Sequence, residues 1–410
     1  MLAVLGLMAV AGLSSRLPRT AHRPPAEMRG VDVTYASRPA LARALKARPA
    51  RLVRLVAPLH VAEVRPSGAT AAYARAVRGL PGIVGAHPSV LRSAAVDAPP
   101  GPGLPLHRES PAGASHEWQY YAVGLDRVPR EVTAAAARIR IAVVDTGADL
   151  TSPALAGKVR ASYDVRTGRR GVQDRNGHGT FVASLAGGVD RKHSGFVGFG
   201  GAARLLIVKV ANSMTFSDVA VAAGIVYAVR HGARIVNLSV AGRAPSVVEE
   251  AALEYAARRG VLVVAAAGND ALAGDPPEYP AALLQPVGSN GIGGLGLSVG
   301  ASDSEGARAG FSEYGSFVSL VAPGESVFGA RAASRTSYGY ASGTSFAAPE
   351  VAGVAALVWA ADPKLSFRQV ATILKQTASG RGAWSPELGF GVVDAAAAVQ
   401  RAAAAGFTGS

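Results

Sequence analysis

Four side chains in this sequence could together break an acyl bond. A serine hydroxyl is a weak nucleophile at neutral pH. It becomes a strong one when an imidazole takes its proton and a carboxylate fixes the imidazole's tautomer and stabilises the imidazolium. Asp145, His178 and Ser345 supply those groups in the order Asp, His, Ser. Asn269 adds a carboxamide that can donate to a developing oxyanion beside the Ser345 backbone N–H. Each residue alone has a plainer reading. Asp145 would be a turn-forming Asx residue, His178 a satisfied histidine at a helix start, and Ser345 a helix N-cap.

Their surroundings argue for the joint reading. Asp145 directly follows Ile141-Ala142-Val143-Val144, a poor place for a solubilising acid. His178 lies in Asn176-Gly177-His178-Gly179-Thr180, where flanking glycines allow close backbone approach and leave the imidazole reachable. Asn269 follows Ala265-Ala266-Ala267-Gly268. Ser345 opens an alanine-rich apolar run to about residue 360, with its N–H and hydroxyl at the positive end of a helix dipole. Pro349 is expected to fall in that helix's first turn, where proline is tolerated.

The elements that must hold these residues alternate. Residues 139–144, 205–210, 235–240 and 261–266 read as continuous apolar strands. Helices are expected from near 178, over 217–230 with Ser217 as N-cap, and over 247–259. Such alternation specifies an α/β fold, a doubly wound, mostly parallel sheet with helices on both faces. In such sheets ligands sit beyond the carboxyl ends of the strands, and these four residues all stand at strand-to-loop or loop-to-helix junctions.

The front of the chain differs. Residues 2–13 form an apolar run too short to span a bilayer but suited to a signal-peptide h-region. No basic residue precedes it, as a truncated or misassigned start would leave it; residues 1–30 are expected to be signal peptide and leader. Residues 31–96 contain strands at 31–35, 52–56, 59–64 and 83–86 and helices at 40–47 and 69–80. The order β-α-β-β-α-β is that of a small α+β ferredoxin-like module. A Pro/Gly-rich linker over 97–115 separates it from a main domain over 116–410.

Composition narrows the function classes. The 410 residues are 49% hydrophobic, with mean hydropathy +0.22, enough for a large core and more than one domain. Cysteine is absent, which removes disulfides and thiolate metal sites but does not oppose export. The net charge of +14 is concentrated in residues 1–100, which carry 14 Lys/Arg and 4 Asp/Glu. Those basic residues are scattered rather than grouped into a tract, so nucleic acid is not expected as a partner. No stable membrane span is expected either.

On these residues the sequence resembles the subtilisin-like serine proteases, the subtilases. Val143-Val144-Asp145-Thr146-Gly147, Asn176-Gly177-His178-Gly179-Thr180, Ala267-Gly268-Asn269 and Gly343-Thr344-Ser345 match that family's four ordered motifs. The likeness runs from about residue 118 to 404. It implies a secreted or cell-surface monomeric endopeptidase, made as a zymogen and acting on protein or peptide substrates. Asp145 would orient, His178 act as base then acid, Ser345 attack, and Asn269 stabilise the oxyanion. Ser239, Val240, Ala241 and Gly242 resemble the segment that pairs with an extended substrate. Ala266, Ala267 and Gly268 resemble the opposite wall of the first specificity pocket. Residues 31–88 resemble a subtilase propeptide, chaperone and inhibitor of its own enzyme. A peptide-ligating or macrocyclising subtilase, or a catalytically silent binding protein, are the alternatives.

Where many relatives carry a second histidine, this sequence has Phe181. The chemistry requires no cofactor. Residues 187–202, where some relatives hold calcium, contain one carboxylate, Asp190, beside Arg191 and Lys192, a poor oxygen cage. Structural calcium elsewhere stays open. Glu278, ahead of Tyr279-Pro280, resembles the floor of the first pocket, with Asp270 near its rim. Two carboxylates there would favour a basic residue before the cleaved bond. Arg92 or Arg108 then becomes the expected maturation site.

Overall fold

The computed structural model of the chain describes residues 30–95, 118–190, 194–332 and 338–407. The expected signal peptide and the Pro/Gly-rich linker lie outside the described residues.

The N-terminal module runs β1 (Val31–Tyr35), α1 (Arg38–Ala47), β2 (Arg51–Val56), β3 (Val61–Arg65), α2 (Thr70–Arg78) and β4 (Ile83–Pro88). Its antiparallel sheet has the order β2-β3-β1-β4. Val31, Val33, Val64, Ala74, Val77 and Ala86 form its core. Helix α1 starts two residues earlier than its sequence suggests. Ser37 caps it by accepting from the Ala40 N–H, and Pro39 sits in the first turn, where a missing N–H costs nothing.

A further strand, β5 (Leu91–Ala94), leaves this module. Leu-Arg-Ser-Ala carries no strand period of its own. It is extended because it is inserted between two segments of the main domain.

The main domain continues with α3 (Trp118–Ala122), α4 (Arg130–Ala135), β6 (Arg140–Asp145), β7 (Val159–Asp164) and α5 (His178–Gly187). Next come β8 (Val189–Asp190), β9 (Phe196–Val197), β10 (Arg204–Lys209), β11 (Thr215–Ser217), α6 (Asp218–Arg230), β12 (Ile235–Leu238) and β13 (Val240–Ala241). Then follow α7 (Val247–Arg258), β14 (Leu262–Ala266), α8 (Ala281–Leu284), β15 (Gly296–Ser302), β16 (Leu320–Pro323), β17 (Val327–Ala330) and β18 (Tyr338–Ala341). The domain closes with α9 (Thr344–Ala361), α10 (Phe367–Thr377) and α11 (Ala395–Phe407).

Seven strands form the central sheet in the order β16-β15-β14-β12-β6-β10-β7, and every pairing in it is parallel. Helices α5 and α9 cover one face and α6 and α7 the other, giving two apolar cores. The direction of winding reverses between β6 and β12, which opens a crevice beyond their carboxyl ends. Helix α9 is apolar on every side, as a helix enclosed by a core must be. It is long and apolar enough to cross a membrane, but 89% of it is buried in this domain.

Candidate active site

Asp145 is the last residue of β6 and His178 the first of α5; both are fully buried. Asp145 Oδ1 lies 2.7 Å from His178 Nδ1 and also accepts the Thr146 N–H at 2.6 Å. An acceptor at Nδ1 places the proton there and leaves Nε2 with its lone pair. Nε2 is buried and has no hydrogen-bond partner. Two backbones must approach closely for this pairing: a Cβ on Gly179 would lie 2.2 Å from the Gly147 carbonyl oxygen.

The loop before His178 is held by Asp174, which the sequence did not single out. Its carboxylate accepts the N–H groups of Asn176, Gly177 and Thr180 and the hydroxyls of Thr146 and Thr180, at 2.7–3.0 Å. Burial would raise its pKa, but the hydrogen bonds from Gly177, Thr180 and Thr146 outweigh that and hold it below the usual value. Lys209 Nζ, beside this pair of loops, donates to the carbonyls of Thr146 and Gln173.

Ser345 is the second residue of α9, not its cap. Gly343 holds the cap position with no side-chain bond. Pro349 is therefore the sixth residue, beyond the first turn, and leaves the Ser345 carbonyl without its helical donor. The Ser239 hydroxyl fills that place at 2.7 Å, while Ser345 Oγ donates to the Ser239 carbonyl at 2.9 Å. Ser239 thus fixes Ser345 from both ends. The His178 ring lies 5.7 Å from the ring of Phe346, the next residue, which also packs 4.8 Å from Phe181.

Asn269 Oδ1 accepts from the Thr344 N–H and hydroxyl, and its buried Nδ2 has no partner. Glu278 lies beneath this turn and accepts the Asn269 N–H at 3.2 Å. Burial first, then the charge of Asp270, pushes Glu278 up to about 7. Asp270, expected from sequence near the pocket rim, is not alone there. It pairs with Arg243 at 2.6 Å on the exposed surface.

The crevice is filled by the chain's own β5. It pairs antiparallel with β13, Ala94 opposite Val240 and Ser93 opposite Ala241. On its other edge Ser93, Arg92 and Leu91 oppose Thr215, Phe216 and Ser217 of β11. Gly242 lets it pass, since a Cβ there would lie 2.8 Å from the Leu91 carbonyl oxygen. One residue beyond β5, the Ala95 carbonyl accepts the Ser345 N–H at 2.9 Å. Arg92 stands three residues before that carbonyl, not at it, and so does not occupy the position expected of a basic maturation site. Arg108 lies outside the described residues.

Compared with known proteins, residues 137–391 match the subtilase family model, well over half of the chain. The chain belongs to the subtilase family. This subtilase is 38% identical over 231 residues to the thermophilic serine proteinase of Bacillus sp. (strain AK1), covering 56% of this chain and 54% of that protein. It is 39% identical over 221 residues to thermitase of Thermoactinomyces vulgaris, covering 53% of this chain and 74% of thermitase. Among solved structures it is similar to fervidolysin of Fervidobacterium pennivorans, a keratinolytic enzyme related to subtilisin. The TM-score is 0.74 at 26% identity, over 90% of this chain and 60% of that one. The subtilase thus spans just over half the length of the first relative and 60% of fervidolysin.

Proposed function

We propose that this subtilase is a secreted serine endopeptidase made as a zymogen, with residues 31–95 as the module that occupies its own site. The observation that carries the reading is the Ala95 carbonyl on the Ser345 N–H, beside a buried Asp145–His178 pair whose Nε2 is free. A carbonyl held there is polarised by a helix N-terminus, and Asn269 Nδ2 is a second donor with no other partner.

The reaction follows from these atoms. Ser345 Oγ rotates from the Ser239 carbonyl to His178 Nε2, gives up its proton and attacks the acyl carbon. His178, now cationic and held by Asp145, passes that proton to the leaving amine as the C–N bond breaks. Water then attacks the ester. Its proton goes to His178 and on to Ser345, releasing a carboxylate and regenerating the site. Acting on the chain itself, this sequence cuts the bond between Ala95 and Val96. The apolar run over residues 2–13 supports a secreted location, and the substrates are polypeptides presented in extended form along β11 and β13.

Fluorophosphonate labelling of the purified protein beside Ser345→Ala tests the reading. Wild type is expected to label and to acquire an N-terminus at Val96, and Ser345→Ala to do neither. Equal labelling of both proteins would refute the nucleophile.

A further inference from the structure

Arg92 is a charged residue with no exposed surface, pointing from β5 into the main domain. Its Nε donates to Glu249 Oε1 at 3.1 Å and Oε2 at 3.0 Å, and its Nη2 to Oε2 at 2.5 Å. Nη1 turns back to the Leu91 carbonyl at 3.0 Å. Glu249, equally buried, is the third residue of α7, and its own N–H is taken by the N-cap Ser246. Nothing about an acid in the first turn of a surface-covering helix requires burial. This one is enclosed because a guanidinium lies against it.

The position of Arg92 in the crevice gives the pair its meaning. β5 is held by backbone pairing on both edges, and the Ala95 carbonyl is at the Ser345 N–H. Counting back from Ala95, the acyl-bearing residue, Arg92 is the fourth. The structure assigns Glu249 as a specificity-determining residue that selects arginine at this fourth position, in the maturation segment and in other polypeptide substrates alike. The inference rests on the peptidase reading given above.

The physical reason is the asymmetry of buried charge. Removing two ions from water is costly, and only good geometry with satisfied hydrogen bonds repays it. Here a planar fork meets a carboxylate through three hydrogen bonds. A lysine would offer a point charge without the fork. A leucine would leave Glu249 without its guanidinium partner, and the charge of Asp218 opposes its ionisation further. Burial raises the Glu249 pKa more than Arg92 lowers it, leaving it at about 7, so without the guanidinium the buried carboxylate would be still less favoured. The preferred segment is therefore Arg-x-x-Ala, with small residues at the last two positions, as in Arg92-Ser93-Ala94-Ala95.

The test uses the matured protein, with active sites counted by fluorophosphonate, and chromogenic peptides Leu-X-Ser-Ala-Ala with X as Arg, Lys, Leu or Glu. Wild type is expected to prefer Arg over Leu by at least about 30-fold in kcat/KM, with Lys between. In Glu249→Gln that ratio should collapse to within about threefold, and Glu249→Arg should come to prefer Glu. Arg92→Leu should slow self-cleavage. Pairing it with Glu249→Leu should restore the rate, since an apolar pair of similar volume can replace a buried ion pair. This guards against variants that fail to mature. A labelled wild type cleaving Arg and Leu peptides equally would overturn the assignment and leave the peptidase reading intact. Absence of labelling would instead overturn that reading, and the assignment with it.

Discussion

Asn269 Oδ1 receives both the backbone N–H and the hydroxyl of Thr344, at 3.0 and 2.9 Å. The residue before Ser345 is thereby tied to the residue expected to stabilise an oxyanion, and the amide nitrogen is turned away from Thr344. Asn269→Ala should lower kcat by about 10²–10³-fold with little change in KM, the magnitude being that of the corresponding asparagine in subtilisin itself. Steady-state kinetics on one good peptide checks this. A loss confined to KM would mean that Asn269 only shapes the pocket.

Asp174 ties five donors around the loop that presents His178. Its depressed pKa means that its stabilising contribution is present above the ordinary aspartate value of about 3.9 and is lost as pH falls through the lower folded value. Asp174→Ala should cost more than about 2 kcal/mol of stability by leaving buried donors unpaired. Denaturant unfolding on an inactive Ser345→Ala background measures it. The variant should also lose the steepest part of the acid-induced fall in stability.

Glu350 lies one turn beyond Ser345, fully buried, with both carboxyl oxygens unpartnered. Burial alone raises its pKa well above the usual value, so the folded state holds its proton to higher pH than the unfolded chain does. Its raised pKa favours the folded state below the unfolded value of about 4.3, and that advantage is lost as pH rises toward the folded value. Glu350→Gln, which cannot ionise, should therefore gain stability relative to wild type as pH rises from 5 to 8. Thermal unfolding across that range is the measurement. Parallel curves for the two proteins would contradict the assigned protonation state.

Asp32 of β1 sits where the N-terminal module meets α6. Burial first, then the charge of Asp218, raises its pKa, with Glu63 adding to the effect and Ser89 opposing it. Glu63 is itself raised by burial against the pull of Arg54. Both groups therefore favour the docked module at low pH and weaken it as pH rises through their folded values. In Ser345→Ala, where the chain stays whole, susceptibility of the module to an added protease should increase from pH 5 to pH 8. Asp32→Asn should flatten that dependence.

Much of the candidate site was legible in the sequence because it depends on short-range backbone shape. An aspartate at the end of an apolar strand, a histidine between glycines and a serine opening a buried helix each need their neighbours to be what they are. The parallel sheet was legible too, since strands covered on both faces must be apolar throughout. The strand expected over 235–240 stops instead at Leu238, and Val240 and Ala241 pass to a different sheet. A continuous apolar run looks the same whichever partner it finds.

Only the tertiary structure decided what fills the crevice. Leu91–Ala94 is a strand because two other strands flank it. Arg92 matters because the chain returns to bring Glu249, 157 residues away, against it. Asp174 gains its role from loops that meet only in the folded domain. Nor could the sequence anticipate that Ser239 would replace the hydrogen bond Pro349 removes from Ser345. The sequence determines which groups are able to react, because reactivity belongs to local chemistry. Which peptide they are offered depends on pairings between distant segments, and those pairings exist only once the core has closed.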